Sequence, residues 1–204
     1  MNNPLSHIGV LVLAAGASSR MVSVKQLLPF GNSTVIGTIL DKVCALQVGK
    51  LVVVTGAYPE IYMECKSKSE VLIPIHNRKW RNGMGSSIAC GTHFMNRHFK
   101  EIKTLLVVLS DQPLLTVGHL KKLIQPFEDL HNDHPDAVAT SHRFGRGVPA
   151  AFSHRLFPEL RKLNDDIGAK SLLSKNTLDC HTIVPDFDTI DIDTKEDYLN
   201  LLNK

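Results

Sequence analysis

The 204 residues are enough for one α/β domain, and a chain of this length buries about 70% of its unfolded surface on folding. With 43% hydrophobic and 21% charged residues, the composition is that of an ordinary globular protein and argues against collagen-like, fibrous or long disordered chains. Twenty-three Lys and Arg against 20 Asp and Glu give a formal charge of +3, too dilute for a dedicated nucleic-acid-binding domain but compatible with small phosphorylated partners.

Apolar, β-branched runs alternate with helical stretches, the pattern of a mostly parallel sheet covered by helices on both faces. The run Ile8–Ala14 predicts a buried first strand. Residues 34–46 place Val35, Ile39, Val43 and Leu46 at helical spacing, with Ser33 as N-cap. Lys50–Thr55 is the second predicted strand, followed by a short helix over 58–66 opened by Pro59 and a strand over 71–75. A helix over 86–97 leads to the clearest central strand, 103–110. Residues 116–130 read as a helix that Pro126 kinks or divides. Strands are expected at 136–141 and 148–153 around a loop at 142–147. Short helices at 154–163 and 169–174, strands at 182–184 and 189–192, and a last helix from Lys195 complete the chain. No repeat or low-complexity linker marks a boundary, so residues 1–204 are expected to form a single domain.

No apolar run reaches the roughly 20 residues that span a bilayer. The start Met-Asn-Asn-Pro carries no positive charge and no cleavage site follows, so a cytoplasmic protein without membrane contact is expected. Cys44, Cys65, Cys90 and Cys180 form no Cys-x-x-Cys pair and are expected as reduced, mostly buried thiols.

Between the first strand and its helix lies Leu13-Ala-Ala-Gly-Ala-Ser-Ser-Arg-Met21, followed by Lys25-Gln-Leu-Leu-Pro29. Small residues after a strand let backbone N–H groups approach phosphate oxygens, and Arg20 and Lys25 add charges that match a triphosphate. The competing reading is a glycine-containing turn with solvated charges. The loop is neither G-x-G-x-x-G nor a Walker A, which removes the main support for a dehydrogenase or a P-loop kinase.

Asp111 ends an apolar strand, where open α/β sheets bind ligands, and a carboxylate there suits Mg²⁺; an N-cap before Pro113 is the alternative. Asp191 and Asp193 alternate along a predicted strand and so share one face, and either supplies a second carboxylate. Asp193 is equally suited to cap the last helix with Thr194. Gly83, Met84 and Gly85 lead into Ser86 and Ser87 at a helix N-terminus, suited to a base edge or a phosphate, although an ordinary serine cap accounts for one hydroxyl. The ten histidines include no His-Glu-x-x-His and read as surface residues, His131 and His134 among them. Arg143 and Arg146 lie in a glycine-containing loop that reaches an anionic substrate or is simply solvated.

Leu13-Ala-Ala-Gly16, Ser18, Arg20-Met21 and Lys25 resemble the nucleotide-binding signature of the molybdopterin nucleotidyltransferases. Three later segments match in the same order: Trp80-Arg-Asn-Gly-Met-Gly-Ser-Ser-Ile88, Ser110-Asp-Gln-Pro113 and Asp191-Ile-Asp-Thr-Lys-Glu-Asp197. The resemblance covers nearly the whole chain and implies a three-layer, Rossmann-like nucleotidyltransferase fold. It implies Arg20 and Lys25 as catalytic cations, and Leu13, Ala14, Ala15, Gly16, Ser18, Gly83, Met84, Ser86 and Ser87 as nucleotide ligands. It further implies Asp111 with Asp191 or Asp193 as Mg²⁺ ligands and Lys170 toward the substrate, which Arg146 is expected to meet from its own loop.

Leu13-Ala-Ala-Gly16 and the 82–88 loop look most like the cytidylyltransferase branch, which joins CTP to molybdopterin for molybdenum hydroxylases such as xanthine dehydrogenase. A target apoenzyme or its chaperone is then a transient partner. The Ala15 methyl is expected to crowd a purine more than a pyrimidine. Guanylyl transfer, sugar-phosphate activation and a non-catalytic nucleotide-binding regulator or cofactor carrier are the alternatives. Two departures are visible. Val22 stands where the family usually has glycine, restricting the loop at positive φ and favouring the regulator, and Lys170 offers a point charge where relatives more often carry a bidentate arginine.

Overall fold

A computed structural model of the chain describes residues 3–18, 21, 23–129 and 133–202. In chain order the elements are β1 (Ile8–Ala14), β2 (Pro29–Phe30), β3 (Ser33–Thr34), α1 (Val35–Cys44), β4 (Lys50–Thr55), α2 (Glu60–Lys68), β5 (Leu72–His76), α3 (Met84–His98), β6 (Thr104–Leu109), α4 (Val117–Ile124), β7 (Ala137–His142), β8 (Gly145–Ser153), α5 (Phe157–Leu160), α6 (Lys170–Leu173), β9 (Cys180–Ile183) and α7 (Lys195–Leu202).

Seven strands form one sheet in the order β5-β4-β1-β6-β8-β7-β9. Strand β1 pairs in parallel with β4 on one side and β6 on the other, Val12 lying opposite Val53 and Val108. Both its edges are paired and both its faces covered, which is why it is a continuous apolar run instead of an alternating one. Strand β8 is antiparallel to β6 and β7, and the rest of the sheet is parallel. Side chains alternate across the sheet. Val10, Val12 and Ala14 pack with residues of α1, α2 and α4, and Leu11 and Leu13 with residues of α3, α5 and α6. The result is the expected three-layer α/β fold. Going from β1 through α1 the chain turns toward β4, and it later returns to place β6 on the opposite side of β1. The carboxyl ends of β1 and β6 therefore flank the topological switch point, where this class of sheet leaves a crevice.

Several boundaries differ from those expected. Thr34, not Ser33, caps α1: its hydroxyl accepts from the Gly37 N–H at 2.9 Å, and Ser33 belongs to the β2–β3 hairpin. Pro126 divides 116–130 by ending α4 at Ile124 and opening a 3₁₀ turn, Gln125–Phe127. The 142–147 loop is mostly strand, because β7 and β8 pair as far as His142 and Gly145. Strand β9 begins at Cys180, earlier than the expected 182–184. Residues 189–192 form no strand. A single backbone bond, Ile192 N–H to the Asp111 carbonyl at 3.2 Å, reaches the end of β6, and burial of Ile192 against Val35 and Leu201 fixes the segment instead.

The four cysteines are free thiols, but only Cys65 is buried; Cys44, Cys90 and Cys180 are half-buried. Burial raises the pKa of all four, that of Cys65 to about 11. Among the described residues no helix is long and apolar enough to cross a membrane.

Candidate nucleotide-binding site

A cleft of about 650 Å³ opens at the switch point. Leu13, Ala15, Gly16, Ser18 and Lys25 line it from the β1 side, Asp111 from the β6 side, Gly83, Met84 and Ser87 from the 82–88 loop, and Asp191 and Asp193 from the segment before α7. Residues separated along the whole sequence thus meet in one place. Ala14 points the other way, into the core beneath α1. Arg20 and Val22 lie outside the described residues, as does His131.

The first loop is held by its own polar groups. The Ser18 hydroxyl accepts from the Lys25 N–H at 3.0 Å and donates to Gln26 Oε1 at 3.3 Å, while Gln26 Nε2 reaches the Gly16 carbonyl at 3.5 Å. The Ser18 N–H donates to the Tyr58 hydroxyl at 3.2 Å. Gln26 is 2% exposed, and a buried amide is tolerated only because it is bonded in this way. Sequence reasoning passed over Gln26 and Tyr58, although a polar residue between Lys25 and two leucines was the available signal.

Lys25 is the electrostatic hub. Its ammonium lies 2.7 Å from Asp111 Oδ2 and 3.0 Å from Asp193 Oδ1. Burial opposes its charge, but Asp111 and Asp193 outweigh that effect and hold its pKa above the usual lysine value. Asp191 accepts from Gln112 Nε2 at 2.7 Å. Burial first, and then the negative charge of Asp111, push its carboxyl above the usual range. Asp111 is not a helix cap, since Thr116 caps α4 by accepting from the His119 N–H at 3.0 Å. Asp193 does not cap α7 through its side chain either. Thr194 Oγ1 accepts from the Asp197 N–H at 3.1 Å, and Asp197 Oδ2 accepts from the Thr194 N–H at 2.7 Å, a reciprocal cap that leaves the Asp193 carboxylate toward Lys25.

The donor chemistry suits a hard divalent cation. Asp111 and Asp191 are close enough for one charge to raise the other, and such a pair calls for positive charge. Among the described residues no group of three or more His, Cys, Asp or Glu is gathered for a metal. Two carboxylates completed by phosphate oxygens and water form the arrangement that Mg²⁺ or Mn²⁺ accepts.

The second loop is built around Asn77, whose Nδ2 donates to Ser86 Oγ at 2.9 Å and Ser87 Oγ at 3.1 Å. Ser87 lines the cleft. Ser86 is bonded to the carbonyls of Lys79 and Gly83, at 2.8 Å each, and lines a smaller hollow of about 370 Å³ behind it. Gly83 has φ +92°, and a Cβ there would lie 2.7 Å from the Asp166 backbone, so the close approach of residues 164–168 requires glycine. Trp80 and Arg81, its guanidinium 4.5 Å above the indole, complete this wall.

Lys170 and Arg146 are not among the residues lining the cleft. Lys170 opens α6 and is exposed, and Arg146 donates to the Leu173 carbonyl at the other end of that helix, at 3.4 Å. Arg143 sits over the ring of Phe144 in the exposed β7–β8 turn.

Residues 10–180 match the model of the MobA-like NTP transferase domain. The purine catabolism protein PucB of Bacillus subtilis (strain 168) is 28% identical over 207 residues, 94% of this chain and 93% of its own. The structure of Rv0371c in complex with manganese, from Mycobacterium tuberculosis H37Rv, superposes with a TM-score of 0.73 at 23% identity, covering 97% of this chain and 99% of that one. Molybdopterin-guanine dinucleotide biosynthesis protein A from Archaeoglobus fulgidus superposes with a TM-score of 0.69 at 20% identity, covering 96% and 97%. With most of its length and all of its cleft residues except Asp191 and Asp193 inside the matched range 10–180, the chain belongs to the MobA-like NTP transferase family.

Proposed function

We propose that the protein transfers CMP from CTP to the terminal phosphate of molybdopterin, giving molybdopterin cytosine dinucleotide and pyrophosphate. The observation that carries this reading is Lys25 at 2.7 Å from Asp111 in the switch-point cleft, a cation and a carboxylate suited to a triphosphate and its metal. A phosphate oxygen of the acceptor attacks the α-phosphorus, the new P–O bond forms as the bond to the β-phosphate oxygen breaks, and pyrophosphate leaves with that electron pair. An acceptor phosphate is already ionised near neutral pH, so no general base is needed. Charge neutralisation and in-line positioning dominate.

Lys25, and Arg20 by its place in the loop sequence, hold the triphosphate and balance the charge growing on the leaving group. Asp111 with Asp191 or Asp193 would hold Mg²⁺ or Mn²⁺, which when bound withdraws charge from the phosphate oxygens. Leu13, Ala15, Gly16, Ser18, Gly83, Met84 and Ser87 enclose the nucleotide. Lys170 and Arg146, around α6, meet the acceptor's anionic groups. The name of the PucB relative supports a link to purine catabolism, chemistry that molybdenum hydroxylases such as xanthine dehydrogenase perform. A molybdenum hydroxylase or its chaperone is then the transient partner, and the cytoplasm the site of action.

Pyrophosphate release with CTP, GTP and UTP, each with molybdopterin as acceptor, tests the reading. Release with CTP well above the other two is expected. Release with GTP instead moves the protein to the guanylyl branch, and release that needs a sugar phosphate replaces the acceptor.

A further inference from the structure

Two adjacent aspartates, Asp165 and Asp166, form part of a strap that closes over the 82–85 loop. Asp165 is structural. Its carbonyl accepts from the Gly85 N–H at 2.7 Å and its Oδ1 accepts from the Gly168 N–H at 3.1 Å, while Asn82 Nδ2 ties the same strap to Asn164 Oδ1 at 3.0 Å. Gly168, at φ +63°, turns the strap so that it packs on Met84. Asp166, by contrast, lines the cleft, and its carboxylate has no hydrogen-bond or ion-pair partner among the described residues. Arg81, the nearby cation of the cleft wall, is stacked on Trp80.

The charged groups of the cleft fall into two places. Lys25, with the metal-suited carboxylates, marks one end of the β1–β6 crevice, and Asp166 sits against Gly83 in the wall that also contains Trp80 and Met84. The carboxylates around Lys25 would hold a divalent cation and, with the ammonium, the phosphates, whereas the exposed Asp166 carboxylate has no cation paired with it among the described residues, so a nucleoside triphosphate lies with its base toward Asp166. A carboxylate only accepts hydrogen bonds. It favours a base edge carrying an amino group and penalises one that presents a carbonyl in its place.

We infer that Asp166 is a specificity-determining residue that accepts a hydrogen bond from the exocyclic amino group of the nucleobase. This deepens the proposed function and rests on the nucleotide-binding part of that reading. Cytosine donates through its 4-amino group, where uracil has a carbonyl. Guanine donates through its 2-amino group, which hypoxanthine lacks.

The test measures competition binding of CTP and UTP, and of GTP and ITP, in the presence of Mg²⁺, to the full chain and to Asp166→Asn and Asp166→Ala. The amide of Asp166→Asn can present either a donor or an acceptor, so the CTP-over-UTP ratio is expected to fall about tenfold or more while UTP affinity holds or rises. Retained UTP binding shows that the cleft is intact. An unchanged ratio, an equal loss for CTP and UTP, or a loss that vanishes with 2′-deoxy-CTP overturns the inference, the last placing Asp166 on the ribose. If the unaltered protein prefers GTP to CTP, the CTP reading fails separately, and Asp166 is judged on the GTP-over-ITP ratio by the same criteria.

Discussion

The Lys25 ammonium meets the Asp111 carboxylate at 2.7 Å, with only 13% and 18% of the two side chains exposed. This pair joins the loop after β1 to the end of β6 and fixes a positive charge in the cleft, the charge that the proposed reaction sets against the leaving pyrophosphate. Lys25→Ala is expected to lower kcat more than it raises KM for the nucleotide, because the ammonium acts most strongly on charge that develops in the transition state. A rise in KM alone would assign Lys25 to uniform binding.

Asp111→Asn keeps the shape of the residue and removes its charge, so Lys25 loses its ion-pair partner and, in the proposed mechanism, the divalent cation loses a ligand. Turnover should drop at least about 100-fold, about 2.7 kcal/mol of transition-state stabilisation. Steady-state pyrophosphate release measures it, and near-normal turnover would take Asp111 out of the site.

The sheet was readable because β1 and β6 are uninterrupted apolar runs, a pattern that burial on both faces imposes. Ala15 to Ser18, Lys25 and Asp111 were readable as cleft residues because they follow those runs. Residues 189–192 were misread as a strand because alternation of Ile190 and Ile192 with Asp191 and Asp193 imitates a period of two. In the fold only Ile192 is buried, while Asp191 and Asp193 turn into the cleft. Tyr58 gave no local signal, since its bond to Ser18 joins distant stretches of chain, and Asp166 gave none for its place in the cleft. Lys170 and Arg146 were chosen by charge and motif, and charge alone does not reveal that Arg146 reaches the backbone of α6.

Gly83→Ala would add a Cβ at φ +92° and within 2.7 Å of the Asp166 backbone. Strain and crowding of this kind cost about 1–3 kcal/mol, so the Tm should fall by roughly 3–10 °C and nucleotide affinity should weaken with it. Thermal unfolding with and without CTP checks both effects. An unchanged Tm would mean that the strap does not require glycine there.

His119 is fully buried, with Nε2 2.8 Å from the Thr140 hydroxyl and its ring against Phe187. Burial lowers its pKa below 6.5, with Lys122 and His142 acting in the same direction and Asp186 against it. The unfolded chain therefore takes up a proton near pH 6.5 that the folded protein refuses until lower pH. This contribution to stability is complete above that value and declines as pH falls through it. Urea unfolding between about pH 7.5 and 5 should show falling stability, with a shallower slope in His119→Gln. Equal slopes would place the proton uptake elsewhere.

The most direct measurement is transfer of label from [α-³²P]CTP to molybdopterin, with Mg²⁺, by the full chain and by Asp111→Asn. The account predicts that the α-phosphate appears in a molybdopterin dinucleotide, with one pyrophosphate released per product, and that the variant forms at least about 100-fold less in the same time. Pyrophosphate release without label in molybdopterin, or equal labelling by the variant, would contradict it.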